Sequence, residues 1–397
     1  MSERKEAAVS APGKILLIGG YSVLQRPNIS FVIGVDKRVH AHVRREEGSE
    51  VSISSPQFEA YWSGKLEETS KAPDALKFVA RSVKATLDYL QAKGQRTSGV
   101  SITTCSDPSF GVGEGKSGLG SSAAITVATV GAVLELFGKP VSSDPYLAHK
   151  LAQYAHSAAQ GKVGSGFDVA ASCFGSCVYS RYSPEILTSL GDNPSGQELA
   201  KVIDGPWDYV ATPLALPQGF EVAYGNFEGK STSTSAMIKK VNEYKARNPE
   251  EYEILLCQLD RQNRISVDSL AHISELSKHR HDEYLTALHS GGKHYLFTDF
   301  SSAFESGREH TRQLGEVASA QIEPPECTAL IDETCRRRGA FVAKLPGAGG
   351  KDALVALCLS TPGKKTVEAF WRVYKELKIE PIQLKVSNQG VAAQDIK

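Results

Sequence analysis

The stretch Lys116-Ser117-Gly118-Leu119-Gly120-Ser121-Ser122-Ala123-Ala124 constrains this chain more than any other. It follows the strand-like Val100-Ser101-Ile102-Thr103-Thr104 and opens an apolar run that reads as a helix over about 121–137. Gly118 and Gly120 permit backbone conformations closed to residues with a Cβ. Ser121 or Ser122 is placed to cap the helix. The amides of its first turn converge on one point, where the helix dipole favours an anion. Lys116 adds a point charge, and a serine hydroxyl here suits Mg²⁺ on a phosphate chain. Two better-known patterns overlap the loop and fail. Gly113 to Gly118 fits G-x-G-x-x-G, but the acidic residue wanted at the end of a following strand is Glu135, inside the helix. Gly115-Lys116-Ser117 resembles the end of a Walker A loop, but the required earlier glycine is Phe110.

Two more glycine clusters flank this one. Ala11-Pro12-Gly13-Lys14 precedes a short buried strand, Ile15 to Ile18, and then Gly19-Gly20-Tyr21. Lys344-Leu345-Pro346-Gly347-Ala348-Gly349-Gly350-Lys351-Asp352 turns between strands over 341–345 and 353–359. Taken alone, Lys14 is a solvated lysine and the last cluster a hairpin loop. Elsewhere the periodicity predicts strands at 31–35, 39–43 and 220–224 and helices over 74–92 and 144–160. The second helix runs into Gly161-Lys162-Val163-Gly164-Ser165-Gly166-Phe167-Asp168, after which Cys173 and Cys177 fall four apart on a further helix. A Ser/Thr run, Ser231 to Ser235, opens a helical region reaching about residue 320, and a soft domain boundary falls near 225.

Composition narrows the function classes. The 397 residues include 45 basic and 45 acidic side chains, so no net field draws nucleic acid or anionic lipid. The seven cysteines include no C-x-x-C, which argues against a disulfide framework or structural zinc and for a reducing compartment. The apolar stretch Ala123 to Phe137 contains Glu135 and is shorter than the about 20 residues a bilayer requires. The polar N-terminus lacks a signal-peptide core, so a cytoplasmic protein is expected. His279-Arg280-His281-Asp282-Glu283 reads as a solvated mixed-charge stretch rather than a metal cluster.

In this order and spacing the three clusters resemble the GHMP kinases, the superfamily of galacto-, homoserine, mevalonate and phosphomevalonate kinases. The first matches that family's P-G-K motif, the second its G-L-G-S-S-A phosphate loop and the third its C-terminal G-A-G loop. Finer features resemble the fungal-type phosphomevalonate kinase branch: Ala159 to Ala171, Ile322-Glu323-Pro324-Pro325 with Thr328, Leu330 and Asp332 after it, and Gly19-Gly20-Tyr21. The resemblance implies an α+β, two-domain fold. An N-terminal α+β nucleotide-binding domain would span 1–225 and a C-terminal ferredoxin-like domain 226–397, with ATP and acceptor meeting between them. It also implies transfer of the ATP γ-phosphate, with Mg²⁺, to the 5-phosphate of (R)-5-phosphomevalonate. Mevalonate kinase, with an alcohol acceptor, and a non-catalytic GHMP-like metabolite sensor are the alternatives.

The same resemblance assigns roles. Lys14 and Asp168 are the catalytic candidates. Lys116, Gly118, Leu119, Gly120, Ser121, Ser122 and Ala123 would hold the ATP phosphates, with Ser122 also on the metal. Lys14, Tyr21, Lys162, Ser165, Arg181, Ser231, Ser233, Gly347, Ala348 and Gly349 are the acceptor-side candidates. Mevalonate kinases carry a Mg²⁺-binding glutamate at the position of Ser157, so the metal shell here differs. ATP and phosphomevalonate are the implied partners, and neither nucleic acid nor membrane is expected.

Overall fold

The computed structural model describes residues 4–110, 118–191, 193–229, 233–279 and 281–396. The short strand predicted over Ile15 to Ile18 extends back to Glu6, giving β1 (Glu6–Ile18). Its first half escapes the periodicity because, Glu6 and Val9 apart, it is built from Ala, Ser and Pro. The two strands predicted at 31–35 and 39–43 are one, β2 (Ser30–Glu46). The break between them is a register slip: Pro12 pairs with Arg38, but Lys14 pairs with Gly34. Such irregularities re-aim side chains, and this one lies beside Lys14.

The first sheet continues with β3 (Glu50–Ser55), β4 (Ala60–Lys65), β5 (Gly99–Ser106), β6 (Cys177–Ser180) and β7 (Val210–Pro213). The second holds β8 (Glu221–Phe227), β9 (Ala340–Lys344), β10 (Ala353–Cys358) and β11 (Ile379–Pro381), and β12 (Ala392–Gln394) returns to the first. The first sheet runs β12-β1-β2-β5-β3-β4, with β6 beside β2 and β7 beside β6. Only β3 and β5 pair in parallel among the described strands. The second is antiparallel with order β11-β8-β10-β9. Numbered within that sheet, the order is 4-1-3-2, the split βαβ arrangement of a ferredoxin-like sandwich. The fold is α+β, as expected from the sequence.

The helices are α1 (Lys77–Ala92), α2 (Ser121–Leu136), α3 (Pro145–Gln160), α4 (Phe167–Phe174), α5 (Glu185–Thr188), α6 (Gly196–Asp204), α7 (Thr234–Arg247), α8 (Pro249–His279), α9 (His281–His289), α10 (Thr298–Val317), α11 (Pro325–Cys335) and α12 (Thr361–Val373). Helix α2 packs on β1 and β2, with α1 and α3 against it, and every residue from Ala123 to Leu136 is buried. Burial on all sides explains why its sequence is apolar all round. Cys173 and Cys177 do not share a helix: Gly175, at φ 78, ends α4, and Cys177 begins β6. Both thiols are buried, and all seven cysteines are free. No described helix is long and apolar enough to cross a membrane.

Candidate active site

The phosphate loop enters α2 differently from the sequence expectation. Neither serine caps the helix. The N-cap is Gly120 in the left-handed region, φ 77, and no side chain caps it. A side-chain cap works from an extended N-cap residue, and the left-handed entry removes that option. Ser121 and Ser122 therefore stand in the first turn with their hydroxyls released from capping, and the leading amides stay open to an anion. Leu119 is fully buried and anchors the loop in the core. Gly118, φ 68, is closely covered: a Cβ there would lie 2.5 Å from the Tyr224 hydroxyl of β8. Lys116 lies outside the described residues.

Lys14 is brought to this loop by the backbone. Its N–H donates to the Leu119 carbonyl at 2.8 Å, so β1 and the loop run side by side. The side chain crosses Gly120, where a Cβ would meet Lys14 Cε at 2.8 Å, and Nζ donates to the Gly118 carbonyl at 2.8 Å. The ammonium also lies over the Phe167 ring, 5.4 Å from its centre. Burial lowers the Lys14 pKa from its usual value, and the Asp168 carboxylate partly offsets that.

Asp168 sits in the first turn of α4, whose N-cap is Gly166 at φ 79. Its Oδ1 accepts from the Val169 N–H at 3.0 Å. Oδ2 lies 4.0 Å from His156 Nε2, beyond hydrogen-bonding distance. His156 Nε2 is 3.1 Å from Ser122 Oγ and 3.3 Å from the Gln160 amide nitrogen. The imidazole stacks on Phe78, and burial lowers its pKa against the pull of Asp168. One turn earlier the Gln153 amide donates to the Gly166 carbonyl at 2.8 Å. A Cβ on Gly166 would come within 2.5 Å of Gln153 Oε1. Sequence reasoning missed His156 and Gln153. The available signal was the polar stripe Gln153, His156, Ser157 and Gln160, at helical spacing, on a largely apolar α3.

A cavity of about 470 Å³ adjoins Asp168. Tyr21, Lys162, Ser165, Gly347 and Ala348 line it, along with the polar stripe of α3 and Thr234, Ile238 and Asn242 of α7. The Tyr21 hydroxyl donates to the Ala348 carbonyl at 3.1 Å and joins the two sides of the cavity. Gly349, φ 80, does not line it but fixes the loop: a Cβ there would stand 2.2 Å from the Ile322 carbonyl. Arg181 is also outside the lining. Its two terminal nitrogens donate to the Leu24 and Gly164 carbonyls, at 2.7 and 2.9 Å, and tie two cavity segments together. Ser233 caps α7 by accepting from the Ala236 N–H at 3.3 Å, and Ser231 lies outside the described residues.

Residues 79–176, which carry the phosphate loop and Asp168, match the GHMP kinases N terminal domain. Over 93% of this chain and 90% of its own length, phosphomevalonate kinase erg8 of Aspergillus fumigatus is 30% identical. The chain belongs to the phosphomevalonate kinase family of GHMP kinases. A second family member, the peroxisomal phosphomevalonate kinase of Arabidopsis thaliana, is 29% identical over 91% of each chain. The fold of the family is shared by a solved structure, Streptococcus pneumoniae phosphomevalonate kinase in complex with phosphomevalonate and AMPPNP. It superposes with a TM-score of 0.73 at 19% identity, covering 96% of this chain and 99% of that one.

Proposed function

We propose that this chain transfers the γ-phosphate of ATP to the 5-phosphate of (R)-5-phosphomevalonate, giving 5-diphosphomevalonate and ADP on the mevalonate route to isoprenoids and sterols. The observation that carries the mechanism is the place of Lys14. Its ammonium lies between the phosphate loop at Gly118 and the Phe167–Asp168 edge of the acceptor cavity. The phosphate loop and the first turn of α2, together Gly118 to Ala123, hold the β- and γ-phosphates, with free amides at the helix start. The acceptor phosphate enters from the cavity, and one of its oxygens attacks the γ-phosphorus as the bond to the β-phosphate oxygen breaks. Both reactants are anions, so a cation at their junction stabilises the charge that develops there.

Asp168 need not remove a proton. A phosphate monoester has its second pKa near about 6 and is mostly a dianion at neutral pH. Asp168 instead keeps Lys14 cationic against the effect of burial. Ser122 and Asp168 would hold Mg²⁺, since both offer hard oxygen donors of the kind it takes, with phosphates and water as its other ligands. When bound, the ion neutralises charge on the transferring phosphates. Lys162 and Ser165, Tyr21 and the Gly347–Ala348 turn surround the acceptor, while Arg181, Gly349 and Ser233 shape its walls.

A nucleotide-binding unit over 1–225 and a C-terminal unit over 226–397 belong to the same proposal, supported by the two separate sheets. β8 straddles the division, and β12 crosses back to β1. We place the activity in the cytoplasm, where seven unpaired thiols stay reduced. A coupled ADP-release assay with mevalonate, phosphomevalonate and diphosphomevalonate in parallel tests the reading. ADP release with phosphomevalonate alone is expected. Release with mevalonate instead makes the chain an alcohol kinase, and no release with any of the three makes it a sensor.

A further inference from the structure

We propose that His156 is a positioning residue: its Nε2 accepts the Ser122 hydroxyl hydrogen and so leaves the serine oxygen's lone pairs facing the place of the cation that accompanies the phosphates. This rests on the functional reading above. An amide nitrogen can only donate, and the Gln160 amide nitrogen faces Nε2 at 3.3 Å, the orientation that goes with a lone pair on Nε2. Ser122 Oγ, 3.1 Å from the same atom, must then donate as well. Among the described residues, Ser122 Oγ has no other hydrogen-bond partner. The ring cannot turn away freely, because it is buried and stacked on Phe78 with centroids 5.3 Å apart. An unheld hydroxyl samples several rotors, and only some present the oxygen to a cation. Holding its hydrogen on the far side removes that cost before the nucleotide arrives. The arrangement also leaves Asp168 free of His156, since a lone pair at 4.0 Å offers the carboxylate no hydrogen.

The test compares His156→Phe, which keeps the ring and its stacking but loses the acceptor, with His156→Gln, whose amide oxygen can replace it. The probe is Mn²⁺ binding to the enzyme–ADP complex, followed by electron paramagnetic resonance, alongside the affinity for metal-free ADP. His156→Phe should weaken Mn²⁺ binding about fivefold, the loss of one hydrogen bond. Metal-free ADP affinity should be unchanged, while kcat falls. His156→Gln should bring the Mn²⁺ affinity back to within about twofold of wild type. Unchanged Mn²⁺ binding in His156→Phe overturns the proposal, as does equal weakening of ADP with and without metal, which would mark a packing role. If His156→Phe does not fold, His156→Asn takes its place, with the same loss expected because its amide stops short of Nε2. A wild-type enzyme that fails to phosphorylate phosphomevalonate defeats the functional reading only, because the Mn²⁺–ADP comparison needs no acceptor.

Discussion

Replacing Gly120 by alanine would place a methyl group where the Lys14 side chain now passes. Two separate costs follow. Alanine at φ 77 is strained by about 1–2 kcal/mol. The new Cβ would also stand 2.8 Å from Lys14 Cε, closer than real carbon contacts allow, and 3.1 Å from Cγ, tighter than most of them. Overpacking of this kind costs typically about 1–3 kcal/mol. The single substitution should therefore destabilise the protein by about 2–5 kcal/mol. In a Lys14→Ala background the Cγ, Cδ and Cε atoms are gone, so only the backbone strain remains. The coupling between the two sites should be about 1–3 kcal/mol, the overpacking cost, read from urea unfolding of the two single variants and the double variant. The relief of the clash in Gly120→Ala itself is to move Lys14, which detaches Nζ from the Gly118 carbonyl. Turnover should then fall well below what the stability loss explains, while nucleotide affinity changes little. Equal destabilisation by Gly120→Ala with and without Lys14, or normal turnover in the single variant, would refute the reasoning.

Asp168→Asn removes the charge that raises the Lys14 pKa, so the ammonium should deprotonate at lower pH and the basic limb of the kcat profile should move down; an unmoved limb would free Lys14 from Asp168. Tyr21→Phe breaks the bond to the Ala348 carbonyl and should raise the KM for phosphomevalonate about fivefold with a smaller change in kcat; a change confined to kcat would contradict it. His149 is buried with its pKa lowered from 6.5 to about 3, so between these values the unfolded chain binds a proton that the folded chain does not. That group's contribution is complete above pH 6.5 and falls as pH drops toward 3, by about 2 kcal/mol at pH 5. His149→Phe should be less acid-sensitive by that amount in urea unfolding at pH 5 and 7, and an identical acid loss would remove His149 as the cause.

What the sequence made legible was chemistry carried by contiguous residues. The glycine–serine loop announces itself within a dozen positions, whereas Lys14 and Asp168 took their roles from the resemblance of the three clusters to one family. The capping expectation missed because a sequence shows serine after glycine but not the sign of φ at Gly120, and the left-handed entry leaves the serines uncapped. His156 and Gln153 were not legible as site residues because their partners, Ser122 and Gly166, lie on other elements, and helix packing brings them together. Arg181 illustrates the reverse. A lone arginine near an anion site reads as a ligand, and only the folded structure shows both terminal nitrogens donating to backbone carbonyls. The 4-1-3-2 order of the second sheet was legible through resemblance alone, since strand periodicity carries no neighbour order. The return of Ala392–Gln394 to β1 had no local signal, because three small polar and apolar residues look like any tail.

The central claim is that one ammonium group bridges the two reacting phosphates. A crystal structure with AMPPNP and phosphomevalonate bound together tests it most directly. Lys14 Nζ should leave the Gly118 carbonyl and lie within about 3 Å of an oxygen on both the γ-phosphate and the acceptor phosphate. An ammonium that stays on Gly118, or turns to solvent away from both, would contradict the mechanism.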